Sequence, residues 1–334
     1  MAYDPHVMHQ ALQRLESQRR ARAEQQAARR AEVWARQPRL ARIDRELRGT
    51  MIELASCALR PGEDTGAVVA GLRDKNLRLQ REKADLLAEL GLAPDALDDV
   101  PACPDCGDTG WQGAAMCHCL RQLCTQEQIR SLSSMLDLGG QSFDSFRMDY
   151  YGTQPWPGWD ISPRENMELV YEVCLTYAQK FGRFYFKNLF LSGAPGLGKT
   201  FLSACIARTV SESGFSVVYD TADSVFARFE EQKFTRDSED GRAARDETRR
   251  YLNCDLLILD DLGCEMTTQF VQSALYTLIN TRLISGRHTV ISSNLSMEDV
   301  SRRYTPQIAS RLAGEYHVLS FFGEDIRAQK KRPV

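Results

Sequence analysis

No run of apolar residues in this 334-residue chain is long enough to cross a bilayer. The polar stretch Met1–Gln10 also lacks the apolar segment of a secretory signal. The expectation is therefore a soluble, cytoplasmic protein with no membrane partner. An excess of one charge is missing too. Forty-two Lys and Arg face 45 Asp and Glu, a formal net charge of −3. A globally basic surface is excluded, and any nucleic-acid site has to be local. The ten cysteines do not form an evenly spread disulfide framework, because two pairs crowd into residues 103–119. In a reducing cytosol that crowding favours a metal over disulfides. The apolar fraction of 43% suffices for an ordinary core, and the length admits two or three domains.

The most informative stretch is Gly193-Ala194-Pro195-Gly196-Leu197-Gly198-Lys199-Thr200, which fits the phosphate-loop pattern G-x-x-x-x-G-K-[ST]. An apolar run, Leu189–Leu191, precedes it as a short strand. Phe201 to Glu212 follows with apolar residues at helical spacing. Glycine lets backbone N–H groups approach phosphate oxygens, and a helix starting near Gly198 points its positive end at the anion. Lys199 can reach β- and γ-phosphates, and Thr200 can hold Mg²⁺. The bland alternative is a glycine-rich turn that happens to end in Lys-Thr.

Downstream, strands and helices alternate. Ser216–Asp220 reads as a strand and Ala222–Phe234 as a helix, while Thr235–Thr248 reads as a mobile polar loop. Asp255-Leu256-Leu257-Ile258-Leu259-Asp260-Asp261 is an apolar strand ending in two acids. Such a strand partners a phosphate loop: Asp260 can hold Mg²⁺ and Asp261 can orient or deprotonate water. A helix over about Thr268–Ser285 leads to the strand His288–Ser293 and then Asn294, which is either a site residue beside Asp261 or an N-cap. Helices carrying Arg302, Arg303 and Arg311 and a strand Tyr316–Phe321 complete the pattern. Five alternating strands imply a parallel sheet covered on both faces.

The first hundred residues read differently. Residues 1–50 hold eleven Arg against six acidic residues, in a background of helix formers interrupted by Pro38. Further helices fit about 40–58 and 65–90, with a turn at Arg60–Asp64 between them. The apolar positions Leu12, Leu15, Val33, Trp34 and Leu40 look too sparse for a core of their own. The region is either a solvated helical spacer or a docking surface. Cys103, Cys106, Cys117 and Cys119 then supply a C-x-x-C and a C-x-C, enough thiolates for one tetrahedral Zn²⁺. His118 or Cys124 can substitute as a ligand, and a redox pair or unliganded thiols are the competing readings. An aromatic stretch from Phe143 to Trp159 can stack on nucleic acid, though aromatics more often pack a linker onto its domain. Residues 164–182 form an amphipathic helix ended near Gly182.

The loop at Gly193–Thr200, the run Leu256–Asp261, Asn294 and the segment Ile308–Leu312 resemble the Walker A, Walker B, sensor 1 and arginine-finger elements of AAA+ ATPases. The resemblance is nearest to the bacterial replicative-helicase loaders (DnaC/DnaI-like), with the transposition helper IstB as a cousin. The cysteine cluster, Phe143 and Phe146, and the ending Phe322–Arg327 resemble the same branch. The implied fold is a P-loop AAA+ α/β parallel-sheet core without a C-terminal helical lid, after an all-α region and a small zinc module. The implied boundaries are a helical partner-binding region (1–98), a four-cysteine zinc module (99–125), a linker and domain entry (126–187) and the ATPase core (188–330).

Carried over by position, Gly193, Pro195, Gly196, Gly198, Lys199, Thr200 and Phe201 hold the nucleotide, and Thr200 and Asp260 hold Mg²⁺. Asp261 is the catalytic carboxylate and Asn294 sensor 1. Arg311 is a finger offered to a neighbouring subunit, with Arg303 the runner-up. Arg327 resembles a sensor 2 position. Arg228, Phe229 and Lys233 match the branch's DNA-contacting helix, although residues 223–250 hold seven basic and eight acidic side chains. The implied function is ATP-driven loading of a DnaB-type helicase onto single-stranded DNA. Hydrolysis would be slow and partner-stimulated, and the helicase would be gripped by the N-terminal helices. A DNA-assembling transposition helper and a non-hydrolytic ATP-binding zinc adaptor are the alternatives.

Overall fold

The computed structural model describes residues 3–58, 65–133, 141–234 and 239–330. The turn expected at 60–64 lies outside them. The chain divides into two compact units, Leu12–Cys117 and the combination of Met1–Ala11 with His118–Val334.

Helix α1 (Pro5–Arg36) is built of Ala, Arg, Gln and Glu, and Pro38 stops it and opens α2 (Pro38–Ala58). Helix α3 (Thr65–Glu89) packs on α2 and ends at Gly91, whose φ of 71° suits only a residue without Cβ. Within Leu12–Cys117, Val33 and Leu40 do find a core. They join Leu87 and Leu97 in a small buried cluster, flanked by Trp34 and Leu86. The sequence hides this because Leu97 reaches the helices only through the bend at 90–97. Arg39 forks onto Glu82 at 2.6 and 2.9 Å and onto Glu46 at 2.7 Å. All three side chains are half-exposed, so solvent screening leaves the triad contributing little to stability. The cysteine segment folds around a two-residue hairpin, β1 (Trp111–Gln112) with β2 (Ala115–Met116).

The second unit begins its main run with α4 (His118–Ser133), and then two 3-10 turns, Phe143–Ser145 and Met148–Tyr150. Helix α5 (Pro163–Gln179) starts with a reciprocal Ser162–Glu165 cap and a proline in its first turn. The strands and helices that follow are β3 (Leu189–Gly193), α6 (Lys199–Glu212), β4 (Val217–Thr221), α7 (Ala222–Phe234), α8 (Glu239–Asn253), β5 (Leu256–Leu262), α9 (Gln269–Ile284), β6 (His288–Ser293), α10 (Met297–Arg303), α11 (Pro306–Glu315), β7 (His317–Phe321) and α12 (Ile326–Lys330). The sheet order is β4-β5-β6-β3-β7, every pair parallel. Alternate strand residues enter opposite cores. Leu189, Leu191, Tyr219 and Ile258 face one layer with α5 and α6. Phe190, Val218, Leu257 and Leu259 face the other with α7, α9 and α11.

One expectation needs correction. The polar stretch Thr235–Thr248 is not the mobile loop that its composition predicts: residues 239–253 are helical, and 235–238 lie outside the described residues. Ala244, Thr248 and Tyr251, spaced four and three apart, bury one face of α8. The polar majority of the segment masked that stripe. The aromatic stretch packs. Phe143 is buried, Phe146 rests 5.3–5.9 Å from the rings of Tyr151, Tyr171 and Phe201, and Trp159 stacks on Phe322 at 4.3 Å. No helix among the described residues is long and apolar enough to cross a membrane.

Candidate nucleotide-binding site

Strand β3 lies between β6 and β7, and the chain leaves it to cross to β4 at the far edge. A crevice at the C-terminal ends of the strands, where the connections part, is the usual ligand position in such sheets. The loop 194–198 fills that position. Gly198 caps α6 in the left-handed region at φ 94°, and a Cβ there would come within 2.7 Å of the Tyr151 hydroxyl. Tyr151 donates that hydroxyl to the Leu197 carbonyl at 3.0 Å, bracing the loop from behind. The first N–H groups of α6 have no intrahelical acceptors, which makes this end an anion site. A cavity of about 360 Å³ opens here. Pro195, Gly196, Gly198, Lys199, Thr200, Phe201, Asp261 and Asn294 all line it.

Lys199 is buried, and its ammonium donates to the carbonyls of Gly193 (2.6 Å) and Ala194 (2.8 Å) and to Asn294 Oδ1 (2.8 Å). Burial lowers its pKa below the ordinary lysine value. The carboxylates of Asp261 and Asp260 oppose that shift and Arg327 adds to it. Asn294 therefore sits at the tip of β6 as a direct partner of the phosphate-loop lysine. Asp260 lies beneath the loop, almost fully buried. Thr200 donates to its Oδ2 at 3.2 Å, Tyr219 donates to the same oxygen, and Ser292 donates to Oδ1. A hydroxyl and a carboxylate meeting this way form the hard oxygen set that suits Mg²⁺.

Asp261 occupies a bulge. Its φ is 55°, the β5–β6 register slips between Leu259 and Leu262, and its N–H donates to Ser292 Oγ at 3.0 Å. The bulge is what lets two successive acids serve one site. Asp260 stays under the loop while Asp261 lines the cavity. The Asp261 pKa is raised, first by burial and then by Asp260, with Lys199 and Arg327 pulling it down.

Arg327 joins the same cavity from the C-terminal segment. The Ile326 N–H donates to the Gly196 carbonyl at 3.0 Å, and Gln329 donates to the Tyr150 carbonyl at 3.2 Å. Arg311 lies elsewhere. It is half-buried on α11, outside the cavity lining, with its guanidinium 5.4 Å above the Tyr276 ring and donating to the Tyr276 hydroxyl at 3.5 Å. Arg303 is tied down within its own chain, donating to Thr267 Oγ1 at 2.8 Å and the Glu265 carbonyl at 2.6 Å. Of the DNA-contact candidates, Arg228 pairs with Glu231 at 2.8 Å, and the Lys233 ammonium lies over the Phe234 and Phe270 rings. Phe229 packs on the α7 side of the core.

Sequence reasoning missed Tyr219, Ser292 and Tyr151. Each sits on a strand or turn with no local motif to mark it, and only strand register and loop packing bring it to the site.

The four thiols Cys103, Cys106, Cys117 and Cys119 place their sulphurs within 4.8 Å of one another, with Cys103 and Cys117 at 3.6 Å. Asp108 accepts from the N–H groups of Ala102 (3.0 Å) and Cys103 (2.8 Å), which holds the C-x-x-C turn. That tetrathiol set can hold zinc. A second grouping substitutes Asp105 and His118 for Cys106 and Cys119. Cys124 is buried elsewhere, 3.9 Å from the Met8 sulphur, and burial pushes its pKa up to about 11. No described cysteine is in a disulfide.

A parallel sheet with a Walker-type loop, an acidic strand end and Asn294 at the next strand tip define a P-loop ATP-binding domain of the AAA+ class. Residues 184–333 match the family described as IstB-like ATP binding protein. Over those residues, a little under half of the chain, it is thus similar to an IstB-like ATP-binding domain. The chain is 27% identical over 125 residues to the uncharacterised protein YdaV of Escherichia coli (strain K12), covering 37% of this chain and 48% of YdaV. It is 24% identical over 151 residues to the chromosomal replication initiator protein DnaA of Campylobacter jejuni (strain 81-176), covering 45% of this chain and 32% of DnaA. The chain thus spans about half the length of one relative and a third of the other. Among solved structures, the DnaC helicase loader superposes with a TM-score of 0.45 at 17% identity, over 56% of this chain and 99% of that one. DnaI superposes with a TM-score of 0.42 at 18% identity, over 47% and 86%.

Proposed function

We propose that this chain is an ATPase that uses nucleotide binding and hydrolysis to load a replicative helicase onto single-stranded DNA in the cytoplasm. The observation that carries the ATPase reading is the convergence of Lys199, Thr200–Asp260, Asp261 and Asn294 at one end of one sheet. The loader reading is supported by what precedes the domain: a long helical region and a tetrathiol segment able to hold zinc, neither of which ATP hydrolysis itself requires.

Lys199 would exchange its carbonyl partners for phosphate oxygens, an exchange eased because Asn294 and the loop already fix its position. Thr200 and Asp260 would hold Mg²⁺, which supplies positive charge against the phosphates. Asp261, whose carboxyl titrates above the ordinary aspartate value, is suited to orient the attacking water and take its proton. Arg311, half-buried on α11 and outside the cavity of its own chain, would reach a neighbouring subunit's nucleotide, so the working form would be an oligomer. The N-terminal helices would grip the helicase. A second reading is favoured by the family match alone: an IstB-like helper that assembles on duplex DNA and recruits a transposase.

The test mixes the full-length protein with a DnaB-type helicase, closed-circular single-stranded DNA and ATP, and measures helicase bound to the circle. Wild type should raise that amount, and Lys199→Ala should not. Assembly on duplex DNA without helicase recruitment would instead establish the transposition reading.

A further inference from the structure

Two of the three side-chain hydroxyls on Asp260 do not come from the phosphate loop. The Tyr219 phenol shares Oδ2 with Thr200, and Ser292 takes Oδ1. The register of β4 and β5 explains how a tyrosine arrives there. Tyr219 pairs with Ile258, so Asp260, two residues on, is its diagonal neighbour on the same face. That distance is within reach of an aromatic side chain and too long for a short one. The Tyr219 ring is itself buried in the α5–α6 core, so a fixed ring, not a mobile chain, delivers the hydroxyl. Asp220 faces the opposite side and accepts from Tyr251 (2.7 Å), Ser224 (3.1 Å) and the Thr221 N–H (2.8 Å). The C-terminal end of β4 is thus pinned on both faces.

Partners of a metal-binding carboxylate orient it, and losing one weakens metal binding. We infer that Tyr219 is a positioning residue for the magnesium carboxylate: its hydroxyl holds Asp260 in the orientation in which it meets Thr200, and Ser292 holds the other oxygen. This rests on the reading of Asp260 as the Mg²⁺ residue. The competing account is that a buried phenol merely takes its nearest acceptor.

Tyr251 provides the matched control, being a similarly buried tyrosine whose hydroxyl donates to Asp220, the residue after Tyr219 on β4, rather than to Asp260 on β5. The experiment titrates Mg²⁺ against binding of a fluorescent ATP analogue to full-length wild type, Tyr219→Phe, Ser292→Ala and Tyr251→Phe. In EDTA, Tyr219→Phe should bind the analogue within about twofold of wild type, since the loop and Lys199 are untouched. The Mg²⁺ concentration giving half the metal-dependent gain should rise roughly tenfold or more. Ser292→Ala should shift it the same way, and Tyr251→Phe should leave it in place. An unshifted half-point in Tyr219→Phe, or an equal shift in Tyr251→Phe, overturns the inference. Should Tyr219→Phe fail to fold, an unshifted Ser292→Ala overturns it as well. A wild type with no Mg²⁺-dependent gain would instead remove the reading of Asp260 on which the inference stands.

Discussion

Gly196 shows how tightly single residues are constrained here. Its φ is 80°, and a Cβ on it would lie 1.9 Å from Asp325 Oδ1. Asp325 cannot simply swing away, because that oxygen accepts from the Arg327 N–H at 2.8 Å and the adjacent Ile326 N–H holds the Gly196 carbonyl. Gly196→Ala should therefore lower stability by about 1–3 kcal/mol and displace Arg327 from the cavity. A thermal melt and an ATP-analogue titration check it; unchanged values in both would contradict the packing.

Histidine sets an acid limit at the same scale. His288 has a pKa below the ordinary 6.5, chiefly from burial and then from Lys187 and Arg282, and His317 is lowered by burial against the stacked Phe186 ring. Each binds its proton more readily when the chain is unfolded. Stability should thus be flat with pH above about 6.5 and fall as pH drops from there toward the folded-state values. Urea midpoints at pH 7.5 and 5.5 measure the fall, and a His288→Asn, His317→Asn double variant should flatten it. An equal fall in that variant would assign the effect to other groups, such as Asp108 and Asp299, whose lowered pKa values place their losses at more acid pH.

At the scale of elements, the cysteine hairpin has almost no core of its own. Trp111 and Gln112 are exposed, and β1 and β2 are two residues each. Its order would then depend on the thiols and on the Asp108 turn. Cys103→Ser or a strong chelator should raise amide exchange across residues 101–119 while leaving β3–β7 protected. About one zinc per chain is expected, and a metal content under half an equivalent would eliminate the four-thiolate site. The cap elements argue the opposite case. Ser162–Glu165 before α5 and Ser296–Asp299 before α10 are reciprocal boxes readable as local sequence, and both form.

For the whole molecule, the issue is whether one chain suffices. Among the arginines weighed for the finger, Arg303 is consumed by Thr267 and Glu265, whereas Arg311 on α11 is held only by a long hydrogen bond and a ring contact with Tyr276. Arg311→Ala should retain ATP-analogue affinity but lose ATPase activity that rises with protein concentration, by roughly a hundredfold or more. Loss of nucleotide binding in that variant would show that Arg311 acts within its own chain.

The phosphate loop, the apolar strand ending in Asp260-Asp261 and the strand–helix alternation are all local patterns. Chemistry at fixed spacing along the chain specifies them, so the parallel sheet and its nucleotide end could be reasoned from sequence alone. The cysteine spacing was legible for the same reason. What only tertiary structure decided was every pairing between distant segments. The bulge at Asp261 divides two adjacent acids between the buried floor and the open cavity. The register of β4 against β5 carries Tyr219 to Asp260, and the docking of 322–330 onto Gly196 brings Arg327 to the lysine. Helix α8 belongs with these, since its three buried residues matter only once a core exists to receive them. Such features depend on register and on contacts between residues tens to hundreds of positions apart, for which a single sequence carries no periodic signal.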